Sequence, residues 1–78
     1  MKDFEEYKKQ RWEKGAKEYG EDAWKEQSVD ELITEVEQEI IDCANYLEML
    51  KQKGVDATHL NGNLKYMYNE IQNYRQNG

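Results

Sequence analysis

Apolar residues recur at alternating steps of four and three through the middle of the chain. The steps begin at Val29 and end at Leu50, and a spacing kept over three heptads predicts a long amphipathic helix. Ser28 stands directly before the first apolar position, and Glu31 follows Ser28 by three residues. This is the arrangement of a capping box. We therefore predict a helix over about residues 28–53, ended by Gly54. Its apolar positions are Val29, Ile33, Val36, Ile40, Cys43, Leu47 and Leu50.

Two shorter helices are predicted on either side of this one. The first covers about residues 3–19, because acidic side chains stand in its first turn and Gly20 follows its last residue. The other covers about residues 61–76, with Asp56 or Thr58 as the candidate cap before it. No stretch alternates convincingly with period two, so no strand is expected. The predicted fold class is all-α, a short three-helix chain that forms a helical bundle, and residues 76–78 are expected to fray.

The composition indicates one small domain, residues 1–78, with a limited core. Only 37% of the residues are hydrophobic, and a chain of 78 residues buries a modest share of its surface when it folds. The helical regularity of the apolar positions nevertheless argues against disorder. We therefore expect self-association into a homo-oligomer, a dimer or higher, to complete the bundle.

The charge balance narrows the classes of partner. The chain has a formal net charge of −6, whereas direct contact with nucleic acid or an anionic membrane needs clustered lysine and arginine. No apolar stretch approaches the length of a membrane span. Cys43 has no second cysteine with which to form an intrachain disulfide, so we expect it to be a small buried hydrophobic residue. A reducing cytoplasm is the simplest location.

Three carboxylates lie on one stripe of the long helix. At roughly 100° per residue, Glu35, Glu39 and Asp42 point the same way and border the apolar positions. Crowded carboxylates are costly to keep ionised unless a cation balances them, and oxygen ligands suit Mg²⁺ or Mn²⁺. A metal bound there would bridge to a triphosphate and activate water. The alternative is an ordinary solvated flank of the helix.

Aromatic and basic residues offer a second set of candidates. Trp12, Tyr19 and Trp24 either sandwich a base or pack the first helix onto the second. Lys14 and Lys17 belong to a basic run on the first helix, which either neutralises a triphosphate or balances the nearby acids. Both interpretations of each set stay open on these residues alone.

The order of these residues resembles small phage-type members of the MazG-like all-α nucleoside triphosphate pyrophosphohydrolase superfamily, over about residues 11–50. The residues that carry the resemblance are Lys17-Glu18-Tyr19-Gly20, Trp24, Ser28-Val29-Asp30-Glu31-Leu32, Glu35, Glu39-Ile40-Ile41-Asp42 and Asn45-Tyr46-Leu47. The resemblance implies a helical, Mg²⁺-dependent and commonly oligomeric enzyme that cleaves nucleoside triphosphates to monophosphate and pyrophosphate.

The resemblance also implies roles for single residues. Glu39 and Asp42 match the superfamily's second acidic pair and would be catalytic, with Glu35 as a further metal ligand. The pair that the superfamily places on the preceding helix is matched in spacing only by Glu18 and Glu21, which straddle Gly20. Glu35 or a second subunit would then complete the site. The candidate nucleotide contacts are Lys14, Lys17, Trp24, Asn45 and Tyr46.

Two other functions fit the same residues. One is a helical protein that binds or sequesters a nucleotide without cleaving it, which the incomplete acidic motif favours. The other is a small acidic phage-type inhibitor that docks on a host protein, which the net charge and small size favour. A phage-encoded protein of either kind would act in the host cytoplasm.

Overall fold

The predicted all-α fold is confirmed by the structure, a computed structural model that describes residues 1–76. Within these residues there are three α-helices and no strand. The helices are α1 (Phe4–Tyr19), α2 (Val29–Gln52) and α3 (Asn61–Ile71). Short 3-10 turns cover Ala23–Glu26, Thr58–Leu60 and Gln72–Tyr74. None of the helices in this part of the chain is long and apolar enough to cross a membrane.

Local signals explain where α2 begins and ends. The predicted capping box is present: Glu31 donates its backbone N–H to Ser28 Oγ (3.1 Å), and Ser28 donates its own to Glu31 Oε1 (3.2 Å). These bonds satisfy backbone donors that have no partner inside the helix. Gly54 follows the helix with φ 95°, a conformation that glycine adopts without steric cost.

The start of α3 differs from the predicted capping. Asp56 accepts hydrogen bonds from the backbone N–H (3.0 Å) and hydroxyl (2.6 Å) of Thr58, and it therefore fixes the 3-10 turn that leads into α3. The hydroxyl bond and then the backbone bond hold the pKa of Asp56 below its usual value, because both stabilise the carboxylate. The helix itself starts at Asn61 without a side-chain cap.

The seven apolar positions of the predicted long helix form the apolar seam of α2. In the structure some of these residues are buried and the others are exposed. Ile33, Ile40 and Leu47 are buried, with 5%, 6% and 8% of their surface exposed. Helix α3 covers them from the side of α2 that carries Ile41 and Ala44, since these two residues share a cleft with side chains of α3. The other four seam residues are exposed and are called the exposed strip: Val29, Val36, Cys43 and Leu50. The prediction that Cys43 is buried is therefore wrong for the single chain.

Polar contacts at the end of α3 hold it in this position. Arg75 forms an ion pair with Glu37 and donates a hydrogen bond to Thr34 Oγ1 (3.4 Å), while Gln72 Nε2 donates to Glu37 Oε2 (2.6 Å). These contacts draw the chain across α2 and explain why the helix ends at Ile71 rather than near residue 76. Gln76 was expected to fray, yet its backbone N–H donates to Asp30 Oδ1 (2.7 Å). Residues 77 and 78 lie outside the described part.

Removing the Arg75 side chain is expected to loosen the α2–α3 pair. Arg75→Ala should lower the free energy of unfolding by about 1–2 kcal/mol, because the pair with Glu37 is only partly shielded from water; the two side chains are 28% and 17% exposed. Thermal melting followed by circular dichroism measures the change. Glu70→Ala, on the exposed surface of α3, is the matched control, and equal melting temperatures for the two variants would contradict this account.

Helix α1 stands apart from the α2–α3 pair. It has no buried residue, and its main aromatic contact is with the 3-10 turn, where the rings of Trp12 and Trp24 lie 6.2 Å apart. The aromatic residues therefore join α1 to this turn rather than to α2, which differs from the predicted packing. The radius of gyration is 15.0 Å, whereas a compact chain of this length has about 11.5 Å. The single chain is thus an open arrangement with much uncovered surface.

Candidate functional site

The predicted metal ligands form an exposed row along α2. Glu35, Glu39 and Asp42 are all exposed, and they lie away from the line of Ile33, Ile40 and Leu47 that packs under α3. None of the three carboxylates makes a hydrogen bond or an ion pair within the described part of the chain. Their oxygens are therefore accessible to a ligand from solvent.

The row does not close into a cage. Asp42 comes seven positions after Glu35, and at a helical rise of 1.5 Å the two residues are about 10 Å apart along the axis. Ligand oxygens must come within about 2.0–2.6 Å of a magnesium or calcium ion. Accordingly, no group of three or more His, Cys, Asp or Glu residues among residues 1–76 is arranged to hold a metal ion. The three carboxylates point in a similar direction from α2. However, they are spread too far along the helix axis for one chain to bring all three to the same ion.

The aromatic residues of α1 and the following turn line a cleft of about 490 Å³. The rings of Trp12 and Trp24 are tilted by 59°, and Gly15 lies between α1 side chains without any atom that a Cβ would meet within 4 Å. The cleft can therefore accept a flat, apolar ring against an indole face. Its lining consists of Arg11, Trp12, Gly15, Ala16, Tyr19, Glu21, Ala23, Trp24 and Gln27.

An acidic groove adjoins this aromatic cleft. The groove has a volume of about 270 Å³ and is lined by Gln27, Asp30, Glu31, Thr34 and Glu35. Gln27 lines both the cleft and the groove, so the two are neighbours on the surface. Asp42 opens instead onto a different groove, together with Thr34, Glu37 and Tyr68. Of the three predicted metal ligands, Glu35 is thus the one that lines the groove beside the aromatic cleft.

The predicted nucleotide contacts separate into two groups. Trp24 lines the aromatic cleft, whereas Lys14 and Lys17 are exposed on α1 and are not among its lining residues. Asn45 and Tyr46 lie in the second half of α2, about 25 Å along the helix from its start near Trp24. One chain therefore cannot bring all five residues to a single nucleotide.

Arg11 is the cation that the cleft does contain. Arg11 lies within the same basic run of α1 as Lys14 and Lys17, the two predicted nucleotide contacts. At roughly 100° per residue, Gly15 falls between Arg11 and Trp12, and Lys17 falls on the opposite side of α1. Lys14 lies only about 60° from Arg11, so helical spacing alone separates Arg11 from Lys17 but not from Lys14.

A scan of the chain against protein-family models found no match, and searches of curated proteins and of solved structures found none either.

Proposed function

We propose that this protein is a MazG-like, Mg²⁺-dependent nucleoside triphosphate pyrophosphohydrolase that releases monophosphate and pyrophosphate. The observation that carries this proposal is the border between the aromatic cleft and the acidic groove, which share Gln27. A base stacked near Trp12 and Trp24 would direct its phosphates toward the groove that contains Glu35. The sequence resemblance over about residues 11–50 supports the same reaction.

The proposed roles follow the chemistry of the side chains. Glu39 and Asp42 are the proposed catalytic residues, and with Glu35 they offer the carboxylate oxygens that Mg²⁺, or alternatively Mn²⁺, prefers. When bound, such an ion would neutralise triphosphate charge and favour attack by water. Because the row of carboxylates in one chain is too long to surround an ion, we assign the complete site to more than one chain.

The active form in this proposal is a homo-oligomer in the cytoplasm. A second chain would bring its Tyr46, and the basic face with Lys14 and Lys17, to a nucleotide that the first chain holds at Trp24. Cys43 is the one cysteine of the chain, which agrees with a reducing compartment.

Nucleotide turnover is the direct test. The purified protein is incubated with Mg²⁺ and a panel of ribo- and deoxyribonucleoside triphosphates, and the products are separated by chromatography. We expect monophosphate and pyrophosphate in equal amounts, and we expect Asp42→Asn to reduce their release at least about 100-fold, since even groups behind a metal ligand contribute 10–100-fold. Glu48→Gln is the matched control, because it removes an exposed acid from the same helix outside the row.

Two results of this experiment would contradict the proposed activity. If every triphosphate stays intact in the presence of Mg²⁺ and of Mn²⁺, the protein is not this enzyme. Turnover that persists unchanged in Asp42→Asn would show that the activity belongs to another site or to a contaminant.

Binding without cleavage is the second candidate function. It is favoured by the finding that residues 1–76 of one chain gather no metal-holding group, while the aromatic cleft can still stack a base. Titration calorimetry with the same nucleotides would then give binding heat without product. A Trp12→Ala variant should lose that heat, and Tyr66→Ala, on the exposed surface of α3, should retain it. Absence of heat with every nucleotide would exclude this candidate.

A further inference from the structure

The exposed strip runs along the full length of α2. Its members are spaced by seven residues, and Val29, Val36 and Leu50 are 49%, 38% and 41% exposed. Cys43 completes the strip and is exposed as well. Helix α3 lies on the opposite side of the seam, where Gln72 donates a hydrogen bond to Glu37 and where Ile41 and Ala44 line a cleft together with α3 residues. An apolar line with heptad spacing on the free side of a helix is the pattern that packs against another helix.

The chain exposes more surface than a compact monomer of its mass, and the excess is more than twice what one dimer interface removes from each partner. The chain exposes 6,928 Å², whereas a compact monomer of its mass would expose about 5,000 Å². A standard interface buries about 800 Å² on each partner. The excess of the single chain is therefore large enough for such an interface and still leaves the aromatic cleft open.

We infer that the exposed strip is covered by α2 of a second copy of this chain, with the two helices antiparallel. The strip is symmetric about its middle, so an antiparallel copy sets Val29 beside the partner's Leu50 and Val36 beside the partner's Cys43. A two-fold axis requires this kind of self-complementary patch. The axis then passes close to Glu39.

The charges of α2 select the antiparallel direction. The start of α2 is acidic overall, because Glu26, Asp30 and Glu31 outnumber Lys25, whereas its end is basic overall, because Lys51 and Lys53 outnumber Glu48. Antiparallel helices bring the acidic end of one copy next to the basic end of the other, and parallel helices would set like charges side by side. An acidic partner protein is disfavoured on this strip, because it would meet the acidic start of α2 with charge of the same sign.

The antiparallel pairing has a consequence for the proposed site, and this step rests on the proposed function. The partner's Asn45 and Tyr46 come level with residues 33 and 34 of the first chain along the helix axis. At roughly 100° per residue, Tyr46 borders the exposed strip, whereas Asn45 and the acidic groove fall on the far side of α2. The pairing therefore places Tyr46 at the interface, and Asn45 away from it. The row of carboxylates is duplicated near the two-fold axis.

Disulfide trapping tests the interface without any nucleotide. In Val36→Cys, with Cys43 retained, mild oxidation should link most of the protein into dimers, because the introduced thiol faces the partner's Cys43. The unchanged chain should stay unlinked, since antiparallel helices separate the two Cys43 residues by about 10 Å along the axis, beyond the reach of a disulfide. Gln38→Cys places a thiol on the opposite face of α2 and is the matched control.

Three results would overturn the inference. Linkage of the unchanged chain through Cys43 itself would mean parallel helices. Equal linkage in Val36→Cys and Gln38→Cys would mean random collision. A monomer mass for the unchanged chain in light scattering at about 50 μM, a concentration at which a micromolar dimer is well populated, would leave the strip to a different partner. Since none of these measurements uses turnover, a dimer without activity rejects the proposed function alone.

Discussion

Replacing Ile40 by alanine is expected to unfold a large part of the protein at physiological temperature. Truncation of a buried isoleucine costs about 2–5 kcal/mol, and a chain of this length has a total stability of only about 4–12 kcal/mol. Ile40 lies between Ile33 and Leu47, and these three are the buried hydrophobic residues of the described chain. No second layer of core can compensate. We expect the melting temperature, followed by circular dichroism, to fall by more than about 10 °C.

Ile41→Ala is the control that isolates burial from helix propensity. Ile41 is the next residue on the same helix and is 49% exposed, so both variants make the same change to the backbone preference of α2. Its melting temperature should change by only a few degrees. Both variants are measured at one protein concentration, because dimer formation makes the melting temperature depend on it. Equal losses would mean that Ile40 is not the centre of the core.

The ends of α2 could be predicted because their causes are local. Ser28 and Glu31 bond to each other across one turn, and Gly54 adopts its backbone conformation after the last turn. Such signals lie within a few residues in sequence. Both groups of each capping interaction therefore lie close together in the sequence, where they can be recognised without the structure.

The division of the seam could not be predicted in the same way. The spacing of the apolar residues treats Ile40 and Cys43 alike, but α3 covers one and leaves the other exposed. That choice depends on Arg75 and Gln72 reaching Glu37, contacts between residues 35 or more positions apart. In the inferred dimer the second chain covers the exposed strip. A seam that is only partly covered within one chain is therefore what this interface requires.

The candidate site shows the same limit at the level of side chains. Helical periodicity put Glu35, Glu39 and Asp42 on one stripe that borders the apolar positions of α2, and the structure shows all three exposed. Periodicity describes the direction of side chains but not their separation along the helix axis, which is about 10 Å for Glu35 and Asp42. The adjoining aromatic cleft depends on the angle between α1 and the turn at Ala23–Glu26, and no pattern of residues specifies that angle.

Glu39→Gln is expected to change two measurements in opposite directions. If Glu39 is a metal ligand, removing its charge lowers nucleotide turnover at least about 100-fold. If it also lies at the two-fold axis, the same change removes repulsion between two like charges. Relief of about 1.4 kcal/mol would strengthen the dimer about tenfold. Turnover is followed by product chromatography, and the dimer dissociation constant by sedimentation equilibrium without metal.

Glu35→Gln separates the two effects. Glu35 belongs to the same proposed ligand row, but antiparallel pairing places it opposite Ala44 of the partner subunit, away from its own copy. It should therefore lose turnover while its dimer constant stays within about twofold of the unchanged chain. A weaker dimer in Glu39→Gln would move the axis away from Glu39 and contradict the inferred pairing. A stronger dimer with unchanged turnover would keep the interface but remove Glu39 from the catalytic site, because only the charge at the axis would then have mattered.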